Sequence, residues 1–198
     1  MVEPIKMPEA LVIGASRGIG KKIATTFAKA GYSVGVASRT VEDTPKLPGT
    51  IFTTTKEISD LGFQSQALPI KCNVRKTEDI ENAVSTCISH FGSLDVVIYN
   101  AGAITWDLVV DTPMKKFDLL MDVNVRGAYS LTQTVLPYFL KKGFGKIVMV
   151  SPPLYSRFFK GKTPYAISKL GMSILVQGLS HELNGTGMVY MYMYGCML

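Results

Sequence analysis

Histidine and cysteine are scarce in this 198-residue sequence, and their scarcity closes off whole classes of chemistry. Only His90 and His181 are present, and Cys72, Cys87 and Cys196 are scattered and odd in number. No Cys/His pairing has metal-ligand spacing, so no metal site is expected. Three dispersed cysteines make no disulfide framework and read as reduced thiols of an intracellular protein. No apolar run is long enough to span a bilayer. The start, Met1-Val2-Glu3-Pro4, has no basic segment leading into an apolar core, so no secretory signal is expected. The expected compartment is the cytoplasm by default, with peroxisome and mitochondrion left open. The Cys196-Met197-Leu198 end is not a peroxisomal address. A concentrated basic run is missing too. The formal net charge of +6 comes from lysines and arginines spread along the chain. That pattern suits a small polyanionic ligand as well as it suits nucleic acid, and no nucleic-acid partner is expected. Finally, there is no G-x-x-x-x-G-K-[ST] loop, which argues against nucleotide hydrolysis.

What is present is a globular composition, 47% hydrophobic and 18% charged, in one domain's length. Ala10-Leu11-Val12-Ile13 is a short apolar run that stops at Gly14, as a buried strand does. Beyond the glycines, Ile19, Ile23 and Phe27 recur at helical spacing, and Gly31 is the natural residue after the helix end. Strand then returns at Tyr32 to Ala37. The alternation repeats: helix at about 50 to 61, strand at 66 to 72, helix at 77 to 91, strand at 94 to 99. A long helical region over 113 to 142, a strand at 146 to 150 and a helix from Thr163 to about Leu183 complete it. A polar, Pro-containing insertion between Arg39 and Gly49 reads as a loop. Strands apolar on both faces alternating with helices predict an α/β fold. It is a Rossmann-type doubly wound parallel sheet with helices on both faces. The tail from Met188 alternates Met and Tyr and fits one more strand by period alone.

Gly14, Gly18 and Gly20 fall between a strand and a helix, in the order G-x-x-x-G-x-G. Such a turn lets the backbone approach a pyrophosphate while helix N–H groups point at it. The end of the second strand reads Ala37-Ser38-Arg39-Thr40, with no acidic residue to take a ribose 2′-OH. Arg39 is placed for a 2′-phosphate, and Arg17 offers a second contact, so NADP(H) is expected over NAD(H). The alternative for Arg39 is stacking on the adenine. Near the far end, Thr163 reads as a helix N-cap with Pro164 at the first helical position. Tyr165 and Lys169, four residues apart, then share one helix face, where a phenol beside an ammonium makes an acid–base device.

Taken in order, these motifs resemble the short-chain dehydrogenase/reductase family. The set is Gly14-x-x-x-Gly18-x-Gly20, Asn100-Ala101-Gly102 after the fourth strand, Asn124 in the long helix, Ser151 after the fifth strand, and Tyr165-x-x-x-Lys169. The match runs from about Leu11 to about Thr186. The insertion 44–51 and the turn Ser151-Pro152-Pro153-Leu154 resemble the hydroxysteroid dehydrogenase-like branch, whose members often carry a sterol-carrier domain after the reductase domain.

The resemblance implies hydride transfer between a nicotinamide and an alcohol/carbonyl substrate, small or lipid-like. Tyr165 would be general acid/base, Lys169 its electrostatic support and ribose holder, and Ser151 the donor to the substrate oxygen. Asn124 would keep a water that links Lys169 to solvent. Cofactor contacts are implied at Gly14, Ser16, Arg17, Gly18, Ile19 and Gly20 of the turn, at Arg39, and at Asn73 and Val74. Asn100, Ala101 and Gly102, and the Tyr165/Lys169 pair itself, complete the implied set. Familiar members place the catalytic serine thirteen residues before the tyrosine, where this chain has Pro152; the role is carried to Ser151, with Ser156 a poor substitute. The adenine-contacting Asp-Val pair of the family is Asn73-Val74 here. A homodimer or homotetramer is expected by the same resemblance. The single domain, 1–198, is expected to be incomplete after about residue 187, with the family's last strand and lid region missing. A catalytically impaired dinucleotide-binding protein is the alternative reading.

Overall fold

The computed structural model describes residues 7–45, 47–62, 65–152, 160–186 and 188–194, with backbone only at 190 and 192–194. Strand β1 (Glu9–Ile13) leads through a turn into helix α1 (Gly18–Lys29), then β2 (Ser33–Ser38). Helix α2 (Ile51–Asp60), β3 (Ala67–Lys71), α3 (Thr77–Phe91) and β4 (Val96–Tyr99) follow. Helix α4 (Met114–Leu120) passes through a π-helical segment, Met121–Arg126, into α5 (Gly127–Lys142). The order closes with β5 (Lys146–Ser151), α6 (Thr163–Glu182) and β6 (Val189–Tyr194).

The six strands lie parallel in the order β3-β2-β1-β4-β5-β6. Val12 pairs with Val36 on one side and Ile98 on the other, so β1 is central and buried throughout. Its alternate side chains feed two cores. Leu11 and Ile13 pack toward α3 and α5 with Val84, Tyr99, Leu131 and Phe139. Ala10 and Val12 pack toward α1 and α2 with Ala24, Ala28, Ile51 and Ile58. The chain winds outward from β1 in one direction, then returns to start β4 on the other side. That reversal leaves a crevice beyond the carboxyl ends of β1 and β4, where open α/β sheets take ligands.

The predicted elements are all found, with four differences. The long helical region is not uniform, because six of its residues are π-wound; such insertions gather at functional sites. Ile19 is off the buried face of α1, which is lined by Gly20, Ala24 and Ala28, and is 51% exposed. Thr163 is the first residue of α6 rather than its cap, which is Lys162, so Pro164 sits one position deeper. Leu183, expected to end α6, is the residue capping it. The tail from Met188 supplies β6, which pairs with β5 in parallel from Lys146↔Val189 to Ser151↔Tyr194. A strand needs only alternation and a free neighbour edge, and this segment has both.

Gly127 shows why the π segment ends where it does. A Cβ there would run into the Tyr99 hydroxyl and the Val74 carbonyl. Tyr99 is fully buried, and its hydroxyl donates to the Val123 carbonyl in the π segment, tying β4 to that segment. Gly178 in α6 is different: a Cβ there would meet only the Glu182 carboxylate, at ordinary contact distance. Gly127→Ala is therefore expected to lose about 1–3 kcal/mol through overpacking. Gly178→Ala should gain roughly 0.5–1 kcal/mol by helix propensity. Urea unfolding midpoints of the two variants check the opposite signs; a stable Gly127→Ala would mean Tyr99 is not fixed as described.

Candidate active site

The glycine turn is shaped by what presses against it. Gly14 has φ +86°, and a Cβ there would sit 2.6 Å from the Ala101 nitrogen. Asn100 Nδ2 donates to the Gly14 carbonyl at 3.0 Å, and the Asn100 nitrogen donates to Ile13. The ends of β1 and β4 are thus clamped together at the reversal point. The insertion packs on the same turn from above. Gly49, with φ +106°, brings its backbone against the Ser16 carbonyl. The Arg17 guanidinium donates to the Leu47 and Gly49 carbonyls at 2.8 and 3.1 Å. Arg17 therefore fastens the insertion, and two of its nitrogens are already engaged there. Ser16 is buried beside Ser38, whose hydroxyl donates to it at 3.3 Å.

A cavity of about 440 Å³ runs across the carboxyl ends of β1 to β4. Gly14, Arg17, Arg39, Asn73, Val74, Asn100, Ala101 and Gly102 line it, with Cys72, Ile104 and Val123 among the others. Arg39 stands exposed at its rim and has no ion-pair partner among the described residues. The Asn73 side-chain oxygen accepts from the Arg75 nitrogen at 3.2 Å, an Asx turn that still leaves one lone pair. Burial pushes the Cys72 thiol up to about 12, so it is inert as a nucleophile at neutral pH.

A second cavity of about 230 Å³ adjoins the first and shares its Asn100, Gly102, Ala103 and Ile104. Its other walls are Ile19, Val150, Ser151, Pro152, Tyr165 and Lys169. Ser151 is 1% exposed, and its hydroxyl has no hydrogen-bond partner among the described residues. A buried hydroxyl left without a partner costs about 1–3 kcal/mol, and this one lies in the cavity wall. Lys169 is 4% exposed; its ammonium donates to the Val150 carbonyl at 3.0 Å and touches the Met172 sulfur. Burial pulls its pKa down to about 8. Burial also raises the Tyr165 phenol above its ordinary value. The alternative donor Ser156 lies outside the described residues, as do Pro153 and Leu154.

Asn124 is fully buried in the π segment. Its amide donates to the Ala103 carbonyl at 2.9 Å and to the Ser168 hydroxyl at 2.8 Å, and its oxygen accepts from the Ala103 nitrogen at 2.8 Å. Ser168 in turn donates to the Tyr165 carbonyl at 2.7 Å. The Asn124 side chain thus pins the loop after β4 to α6. Sequence reading missed Ser168, which a helical wheel places beside the Tyr/Lys face only once the partner helix is known. It also missed Trp106, whose ring centre lies 6.2 Å from that of Tyr165.

The residues fit a dinucleotide. Arg39, Asn73 and Val74 stand at one end, Ile19, Ser151, Tyr165 and Lys169 at the other, and the glycine turn lies between.

Comparison with known proteins agrees with this geometry. The short chain dehydrogenase family model matches residues 8–196, extending past the expected limit near Thr186. The chain is 42% identical over 176 residues to hydroxysteroid dehydrogenase-like protein 2 of Bos taurus, covering 88% of this chain and 42% of that protein. It thus spans under half the length of the curated relatives it matches. A short chain dehydrogenase from Mycobacterium thermoresistibile superposes with TM-score 0.85 at 34% identity, covering 93% of this chain and 66% of the other. An actinorhodin polyketide ketoreductase variant with NADPH superposes with TM-score 0.79 at 28% identity, covering 92% and 67%.

The buried Lys169 has a measurable consequence. Its usual pKa is 10.5, and in the folded chain it is about 8. Between those values the unfolded state holds more protons, so stability rises with pH across that window. Below it both states are protonated, and burying the ammonium costs on the order of 3 kcal/mol, at about 1.36 per unit. Lys169→Met is expected to be more stable than the wild-type chain at pH 7 and to lose most of that advantage at pH 10. Urea unfolding at both pH values measures it; an advantage that does not change with pH would show that the ammonium carries no such cost.

Proposed function

The chain belongs to the short chain dehydrogenase family, and on that premise we propose that it is an NADP(H)-dependent oxidoreductase of alcohol/carbonyl pairs with Tyr165 as general acid/base. The observation that carries the reading is the convergence of Ser151, Tyr165 and Lys169 on one cavity that opens into the dinucleotide-sized cleft.

When bound, the nicotinamide supplies or accepts the hydride. Everything else falls to the chain's own side chains. The unpartnered Ser151 hydroxyl donates to the substrate oxygen and holds it against the phenol. Tyr165 gives that oxygen its proton in reduction and removes it in oxidation. Burial alone holds the phenol too weakly acidic for removal. Positive charge must reverse the shift, and two sources are at hand: the Lys169 ammonium, and the oxidised nicotinamide in the alcohol-oxidising direction. With a pKa near 8, Lys169 remains mostly protonated at pH 7 and loses its charge not far above it. Lys169 also faces Gly102, its ammonium 3.6 Å from where a Cβ there would stand, and would help hold the cofactor.

The preference for NADP(H) over NAD(H) rests on Arg39, at the cleft rim with no acidic residue beside it on the β2 end. The exposed Ile167, Leu170 and Ile174 of α6 give a self-associating chain an apolar face. That supports a homodimer or homotetramer.

Two variants test the reading. Tyr165→Phe is expected to cut turnover of carbonyl substrates at least a thousandfold while NADPH binding stays within a few-fold. Unchanged turnover would sink the mechanism, and binding without turnover in the wild-type chain would assign a non-catalytic dinucleotide-binding role. Arg39→Ala is expected to weaken NADPH about ten- to a hundredfold, the worth of a charge-assisted hydrogen bond, with little effect on NADH. Titration of both cofactors separates this from simple adenine stacking, whose loss would weaken the two equally.

A further inference from the structure

The wall opposite Ser151 is built by the loop after β4, and its composition is unlike the rest of the rim. Ile104 borders both cavities and is half-exposed, and Trp106 is 53% exposed although it is the only tryptophan in the chain. Leu108 continues the apolar edge. Ile19 faces the same cavity from the glycine turn. A large aromatic side chain left in water beside a reactive phenol marks a binding surface more than a core.

One cation belongs to this wall. The Lys162 ammonium, from the residue capping α6, stands over the Trp106 ring at 4.5 Å from its centre. The Trp106 and Tyr165 ring centres are 6.2 Å apart. The ammonium therefore lies within the sum of these two separations from the reactive ring. Asp107, which follows Trp106 in the chain, has partners of its own. Asp107 accepts from the Thr105 hydroxyl and pairs with Lys116 at 2.9 Å, which together hold its pKa below the ordinary value.

We propose that Trp106 and Lys162 select the substrate: an apolar carbonyl compound that lays its chain along Ile104 and Trp106 and carries an anionic group to Lys162. The indole serves twice. It covers the apolar chain, and its negative face holds the ammonium at the end of that chain. An ammonium presents three N–H donors, so the contact with the ring is compatible with a carboxylate or phosphate oxygen on another. This selection rests on the oxidoreductase reading of the Tyr165 cavity.

The test uses the full chain with NADPH and two probes of equal length, octanal and octanal bearing a terminal carboxylate. The wild-type chain is expected to favour the carboxylated aldehyde about tenfold in kcat/KM. Lys162→Gln should bring the ratio to about one, and Lys162→Arg should restore most of it. A wild-type ratio near one, or a ratio unmoved in Lys162→Gln, overturns the proposal.

Fluorescence supplies a readout independent of turnover, since Trp106 is the only indole. Octanoate is expected to change its emission saturably and Lys162→Gln to weaken that binding about tenfold, while octanol stays insensitive to the substitution. If neither aldehyde is reduced, the oxidoreductase reading fails and the titration alone decides: Lys162-dependent octanoate binding upholds the selecting pair, and its absence overturns it.

Discussion

The side chain of Asn124 holds the reactive end of this molecule together. Its three hydrogen bonds reach the backbone of Ala103 twice and the hydroxyl of Ser168 once. Ala103 belongs to the loop that leaves the sheet beside the glycine turn, and Ser168 sits between Tyr165 and Lys169 on another element. One amide with all its groups satisfied therefore sets the spacing between the cofactor-side backbone and the proton-transferring helix. Buried polar networks of this kind specify a single arrangement when every member is paired, and are costly when one is lost. The π winding of 121–126 shifts the helical register where Asn124 stands, and the Tyr99 hydroxyl holds the neighbouring turn through the Val123 carbonyl.

Around that pin the chain keeps two groups in states that folding alone disfavours. The Lys169 ammonium is buried with no carboxylate beside it among the described residues, on one backbone carbonyl and a thioether. The Ser151 hydroxyl is buried with no partner among the described residues. Both lie in one small cavity with Tyr165. Marginally stable proteins carry such costs where function asks for them, and groups of this kind cluster at sites that bind or react.

Most of the fold was legible because its signals are local. Short doubly apolar runs, each ending in Gly or a polar turn and each followed by helical periodicity, allow little besides a parallel sheet covered on both faces. The motif residues were legible as a set for the same reason: each follows a strand end. What the sequence hid were relations between distant segments. Arg17 lines the cleft, and its guanidinium is also fixed by the Leu47 and Gly49 carbonyls, a link that no spacing announces. Ile19 shares a helical period with Ile23 and Phe27, yet α1 packs through Gly20, Ala24 and Ala28 and leaves Ile19 in the cavity wall. The tail from Met188 fits a strand by period alone, and its neighbour β5 gives it an edge to pair with. Its alternation was the guide, since a parallel edge accepts any segment able to extend along it.

The strip from Asn100 to Ile104 forms part of the wall of both cavities, and Asn100 and Ala103 in it are also bonded to the glycine turn and to Asn124. Two ligands that press on one strip of backbone are coupled through it as far as either one displaces it. Whatever the first to arrive does to the position of that backbone, the second inherits, and thermodynamic linkage makes the influence equal in both directions. The partition between the chambers is thus a shared wall, and a displacement of it by either occupant is felt by both.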